Sequence, residues 1–293
     1  MEYGSIKLRI GVQELRDMRI TMRINRARNR SSRVLLGMIV LVAMAASAKA
    51  DEASTADLAK AAQNPLASMI SLPFQNNTNT NFGPEEKTQN VLNIQPVWPI
   101  EWNDNWNLIT RTIVPVISQP ALTAAGSRES GLGDISFSGW FSPKQSKKWI
   151  WGLGAVALFP TGADTLTQDK WGLGPTAVAL TFNGPWVYGG LINNIWSVSG
   201  SGPNDVNSLT LQPFLNYNLP GGRYFASSPL ITANWEADSG EQWTVPLGLG
   251  YGQIFKLGKA PVNGQISLYH NIEAPTNAAD WQLRLQLQFM FPK

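Results

Sequence analysis

The 293-residue chain has no cysteine and a single histidine, His270. Without cysteine there is no disulfide framework and no thiolate metal site. There is also no thiol for lipid attachment at an export lipobox. A lone histidine narrows hydrolytic chemistry, because His270 would need a serine and an orienting group beside it. Ser267 lies three residues away, which in a strand is the opposite face. Beyond residue 50 no stretch is long and apolar enough to cross a bilayer as a helix, which takes about 20 residues.

Charge is also sparse, with Asp, Glu, Lys and Arg making up 15% of residues. The formal net charge of +3 is an artefact of the front, since residues 1–50 carry ten Lys/Arg against three acids. The remainder holds 13 Lys/Arg and 17 Asp/Glu, so the basic pI gives no argument for nucleic acid. That front has the three parts of an export signal: basic Arg23–Arg33, apolar Val34–Ala46 and the small-x-small site Ala48-Lys49-Ala50. The expected organisation is a signal peptide over 1–50 with an over-extended start, a periplasmic segment over 51–65 and an all-β domain over 66–293.

The end of the chain is the most informative part. Trp281, Leu283, Leu285, Leu287, Phe289 and Phe291 alternate with Gln282, Arg284, Gln286, Gln288 and Met290. This is one apolar and one polar face over a length that suits a tilted transmembrane strand. The same period of two recurs at Leu92, Ile94, Trp98, Ile100 and Trp102, at Leu209–Leu219 and at Trp243–Tyr251. Helix is expected only over Asp51–Asn64, stopping at Pro65.

The reading gives about twelve strands: 66–75, 88–102, 106–117, 131–141, 149–159, 172–182, 186–198, 207–219, 224–235, 243–255, 262–271 and 280–291. Short connections alternate with longer polar ones, the first long one being Asn76–Lys87. That alternation is the outer-membrane pattern, with short turns in the periplasm. Tryptophans gather at the strand ends. Trp102, Trp106, Trp140, Trp149 and Trp186 lie at the short-turn end, and Trp171, Trp196, Trp235, Trp243 and Trp281 at the other. Indole favours the headgroup zone, so two girdles are expected. Trp98 and Trp151 fit them less well. The long loops are acidic and the short turns basic. Ordinary solubility accounts for this, the alternative being a field that mildly favours cations at the outer mouth.

The polar face defines candidate lumen residues: Asn93, Gln95, Arg111, Gln212, Asn216, Asn234, Gln265, Gln282, Arg284 and Gln286. Amides with few charges point to a narrow lumen for small, weakly polar solutes, or to a filled one. Phe289 and Phe291 are candidate assembly signals. The acids Asp164/Asp169 and Glu236/Asp238/Glu241 sit in loops, and Gly131-Leu132-Gly133-Asp134 precedes no helix, so it is not a nucleotide loop. No catalytic, cofactor-binding or metal-ligating residue is assigned.

Several segments together resemble one family: Leu58-Ala59-Lys60-Ala61-Ala62-Gln63-Asn64-Pro65, Asn93-Ile94-Gln95-Pro96, Trp106-Asn107-Leu108-Ile109-Thr110-Arg111, Gly131-Leu132-Gly133-Asp134 and Leu173-Gly174-Pro175. Thr232-Ala233-Asn234-Trp235, Pro246-Leu247-Gly248-Leu249-Gly250 and Phe289-Met290-Phe291-Pro292 complete the set. They are similar to the bacterial outer-membrane family labelled as the MetA pathway of phenol degradation, some members of which carry a misleading neuromedin U label. The resemblance implies a Gram-negative β-barrel tied to uptake of aromatic or apolar compounds, and no site residues.

The fold expected is thus all-β, a transmembrane antiparallel up-and-down β-barrel of about twelve strands in the outer membrane. The expected role is a passive channel and not an enzyme. Its partners would be outer-membrane lipid, the barrel-assembly machinery and a small-molecule solute, with no nucleic acid and no cofactor. A lipase-like barrel using His270, or an adhesion barrel with a plugged lumen, are the alternatives.

Overall fold

The computed structural model describes residues 52–122, 126–146, 148–163, 165–258 and 260–291. The expected signal over 1–50, the charges of Lys147, Asp164 and Lys259, and Pro292-Lys293 lie outside the described residues.

The alternating segments form strands β1 (Ile70–Phe82), β2 (Lys87–Ile94), β3 (Val97–Glu101), β4 (Trp106–Gln119), β5 (Glu129–Leu132), β6 (Ile135–Pro143), β7 (Trp149–Phe159) and β8 (Lys170–Asn183). They continue as β9 (Trp186–Gly200), β10 (Asn207–Asn218), β11 (Arg223–Ser227), β12 (Ile231–Asn234), β13 (Trp243–Leu257), β14 (Ala260–Glu273) and β15 (Trp281–Phe291). Neighbours pair antiparallel in turn, and β15 returns to β1 from Ile70↔Phe291 to Thr80↔Trp281. The sheet is therefore a closed barrel with no free edge. Three of its twelve spans are interrupted, at β2/β3, β5/β6 and β11/β12. At the first break Pro96 has no N–H to give, and the ladder re-forms around it. Gln95 N–H donates to Pro73 C=O at 2.9 Å, and Pro96 C=O accepts from Thr112 N–H at 3.1 Å.

The first strand differs from expectation. It covers Ile70–Phe82, not 66–75, and the loop expected over Asn76–Lys87 shrinks to a tight turn after Phe82. Asn81, Gly83 and Glu86 take positive φ in or beside that turn. Asparagine is depleted in strands, but here side-chain amides run across the wall. Gln282 donates to Asn79 (3.0 Å), Asn79 to Gln89 (2.8 Å) and Gln89 to Gln119 (3.0 Å), linking β15, β1, β2 and β4 inside the barrel.

Large apolar side chains cover the outside, among them Leu153, Leu173, Leu247 and Ile266, all exposed. Aromatic pairs cap this belt at both ends: Trp186 with Tyr217 (4.7 Å) and Trp149 with Tyr188 (6.0 Å) at the short-turn end, Trp235 with Trp243 (5.4 Å) at the other. Trp98 and Trp151 also face outward. Trp140 does not belong to a girdle. Its parity is that of Ser136 and Ser138, so it points into the barrel, 1% exposed, with Nε1 donating to Thr176 Oγ1 at 3.1 Å. The belt is uneven. On the β1–β4 wall its upper outward positions are Asn76, Thr78, Asn90 and Ser118, while Trp98, Ile100 and Trp102 extend it downward.

The lumen is packed in its lower part. Helix α1 (Glu52–Ala62) is followed closely by Asn64, whose Oδ1 accepts from Leu66 N–H at 2.9 Å, and Pro65 bars continuation. Thr55 sits beneath the turn Pro220–Gly222, and Gln63 exchanges amide hydrogen bonds with Asn218. Ala59 packs with Met69, Ile254 and Met290. The chain then enters the barrel, where Leu66 joins Ile109, Trp140, Val178, Leu180, Val187 and Leu191 in a buried cluster. Burying such a leucine is worth about 1.5–3 kcal/mol.

Candidate functional site

Beside that cluster, and sharing Leu191 with it, the barrel interior holds a partly open cavity of about 180 Å³. Strands of opposite sides supply its wall, because inward positions alternate with lipid-facing ones. Of the sequence candidates, Gln95, Arg111, Gln212, Asn216, Gln265, Arg284 and Gln286 meet in it. Asn93, Asn234 and Gln282 do not line it. Asn93 pairs with Gln75, Asn234 caps the start of a loop through Glu236 N–H (3.2 Å), and Gln282 accepts from Arg284. Phe289 faces outward against Phe74 at 6.1 Å, and Phe291 pairs with Ile70 at the seam.

Arg284 is 4% exposed and fully engaged. Its Nε donates to Asn77 Oδ1 (3.1 Å), Nη1 to Ser228 C=O (2.8 Å) and Nη2 to Gln282 Oε1 (3.0 Å). Its guanidinium also lies 4.7 Å from the centre of the Tyr269 ring. Arg111 is different. It stands 5.3 Å from the Trp140 ring centre, and its buried Nε has no acceptor among the described residues. No Asp or Glu is among the residues lining the cavity.

Sequence reasoning missed part of the lining. Gln63, Asn64, Ala67 and Met69 come from the inserted segment. Tyr224 is almost wholly buried, and its hydroxyl donates to Asn263 Oδ1 at 2.7 Å. Gly252 makes room for it, since a Cβ there would lie 2.2 Å from the tyrosine Cζ. Parity marks Asn263 and Gln288 as inward, but a segment as short as 63–69 has no period to read.

His270 lies on the outer face, its ring 4.5 Å from that of Trp281 and its Nδ1 2.9 Å from Asp280 C=O. Ser267 is inward, 2% exposed, and accepts from Gln265 Nε2 at 2.9 Å. Asp134 of the Gly-Leu-Gly-Asp segment organises a long loop: Oδ1 accepts from Thr167 Oγ1 (2.6 Å) and Gly162 N–H (3.1 Å), and Oδ2 from Gln168 N–H (2.8 Å).

No protein-family model matches the chain, and no curated protein matches it in sequence. Among solved structures it is similar to the COG4313 outer membrane channel from Pseudomonas putida F1, with a TM-score of 0.58 at 17% identity, over 76% of this chain and 94% of that one. Looser likenesses are the NanC porin (TM-score 0.48, 8% identity, 76% and 100% covered) and outer membrane phospholipase A from Escherichia coli (TM-score 0.43, 12% identity, 76% and 92% covered). The first likeness bears on the fold: a closed twelve-strand antiparallel barrel with an apolar belt, at home in the Gram-negative outer membrane.

Proposed function

We propose that the protein is an outer-membrane channel for passive uptake of small solutes. The observation that carries this reading is the amide-lined cavity inside a closed barrel, lined on one side by the inserted segment from Ala61 to Met69. A wall of Gln, Asn and Ser with few charges suits compact solutes better than bare ions, which usually need charged or carbonyl rings. The resemblance to the phenol-degradation family adds aromatic or apolar compounds as the solute class. In this reading the barrel moves solute and does not catalyse, and His270 is an interfacial residue held by Trp281 and Asp280.

The test is solute flux in proteoliposomes across a panel of aromatic and non-aromatic compounds, together with planar-bilayer conductance. Saturable or size-limited flux is expected. Absence of both flux and conductance would overturn the reading in favour of a plugged barrel. Phospholipase activity that disappears in His270→Ala would overturn it in favour of an enzyme.

A further inference from the structure

We infer that Arg111 anchors a binding site inside the barrel for the carboxylate of a small aromatic acid. The inference rests on the channel reading for the ligand's route, though not for its binding. The cavity wall holds two arginines and no acid. Arg284 has its acceptors in the protein, whereas the guanidinium of Arg111 lines the cavity and makes no hydrogen bond to any described residue; its Nε is buried away from the cavity, which leaves the terminal nitrogens for a ligand. A guanidinium taken out of water without an anion is costly. Its planar fork matches a carboxylate with two parallel hydrogen bonds. Val97, the partner of Arg111 across the ladder, and Leu191 and Phe214 give the cavity apolar lining, and the Trp140 ring stands 5.3 Å from the guanidinium carbon. The size fits one ring: about 180 Å³ is available, and an apolar cavity of about 150 Å³ holds benzene. The charge therefore goes to Arg111 and the ring to the apolar lining.

Calorimetry on the protein in lipid nanodiscs tests this with three probes: benzoate, its neutral isostere benzamide, and acetate, which lacks the ring. Benzoate should bind about tenfold to a hundredfold more tightly than benzamide, the span of a charged hydrogen bond, and more tightly than acetate. Arg111→Gln should bring benzoate down to the benzamide level. Arg111→Lys, which keeps the charge and loses the fork, should weaken benzoate by about tenfold, and it carries the test if the glutamine variant does not fold. Folding is checked by the mobility of unheated protein on electrophoresis. Benzamide binding equal to benzoate, or benzoate binding unchanged in the folded variants, overturns the site. Acetate equal to benzoate overturns the place given to the ring. The two readings fail separately. Conductance without benzoate binding removes the site and leaves the channel, and Arg111-dependent binding without flux does the reverse.

Discussion

Single side chains decide how tightly the lower lumen is closed. Leu66 is buried in one cluster with six inward residues of four spans, so Leu66→Ala should cost about 2–5 kcal/mol, the usual loss for a buried leucine. The measurement is urea unfolding in vesicles, and the same variant should conduct more than wild type in planar bilayers. Glu241 acts at the other end. Its carboxylate accepts from Thr276 N–H (2.6 Å) and Thr276 Oγ1 (2.7 Å), and these bonds hold it below the usual glutamate range. A depressed carboxylate stabilises its contact above the unfolded pKa and loses it as pH falls through the folded one. The link between the two loops should thus open in acid. Hydrogen exchange at the Thr276 amide, read against Glu241→Ala at each pH, checks this. Equal protection in both proteins at neutral pH would show that the link does not order the loop. Trp140 stands near a strand end, where a girdle is expected, but its parity with Ser136 and Ser138 sends it inward.

At the scale of the element, most strands were legible because a lipid-facing side must be apolar while the lumen tolerates polarity. β1 was not. Its Gln75–Asn81 run reads as loop by composition, and only its partners explain it as strand, through the amide chain from Gln282 to Gln119. The segment before it was illegible for another reason: seven residues that fill a lumen carry no repeat. Glycines show the same dependence on context. Gly252→Ala puts a methyl into the Tyr224 ring and should destabilise the barrel by about 1–3 kcal/mol, as overpacking does. Tyr224→Leu should soften that penalty, and additive losses in the double variant would break the argument. In β15, Phe291 pairs with Ile70 at the seam that closes the sheet. Phe291→Ala should insert into the outer membrane less efficiently, as seen by the heat-sensitive fraction in membranes of the host. Equal insertion would remove its role in assembly.

For the whole molecule, loop charge and lumen charge have opposite signs. The acids of the long loops suit a solvated outer rim, and one of them, Asp205, is held below its usual range by Lys170 at 3.1 Å. Exposed pairs of that kind contribute little to stability. The two lumen arginines face a different medium, where water is scarce and a charge is felt more strongly. Ion selectivity should therefore follow the constriction and not the rim. A reversal potential under a salt gradient should show anion preference, and Arg111→Gln should reduce it.

The uneven belt has a mechanical consequence. On the β1–β4 side the apolar surface sits low, with Trp98, Ile100 and Trp102 below and Asn76, Thr78, Asn90 and Ser118 above. On the opposite side Trp171, Trp196 and Val198 carry it high. A bilayer of fixed thickness meets both levels at once only if the cylinder leans, since mismatch is relieved by tilt. The barrel should stand oblique to the membrane normal, with its asparagine-bearing wall raised toward the outer surface. Spin labels at Thr78 and Val198 should then report unequal depths.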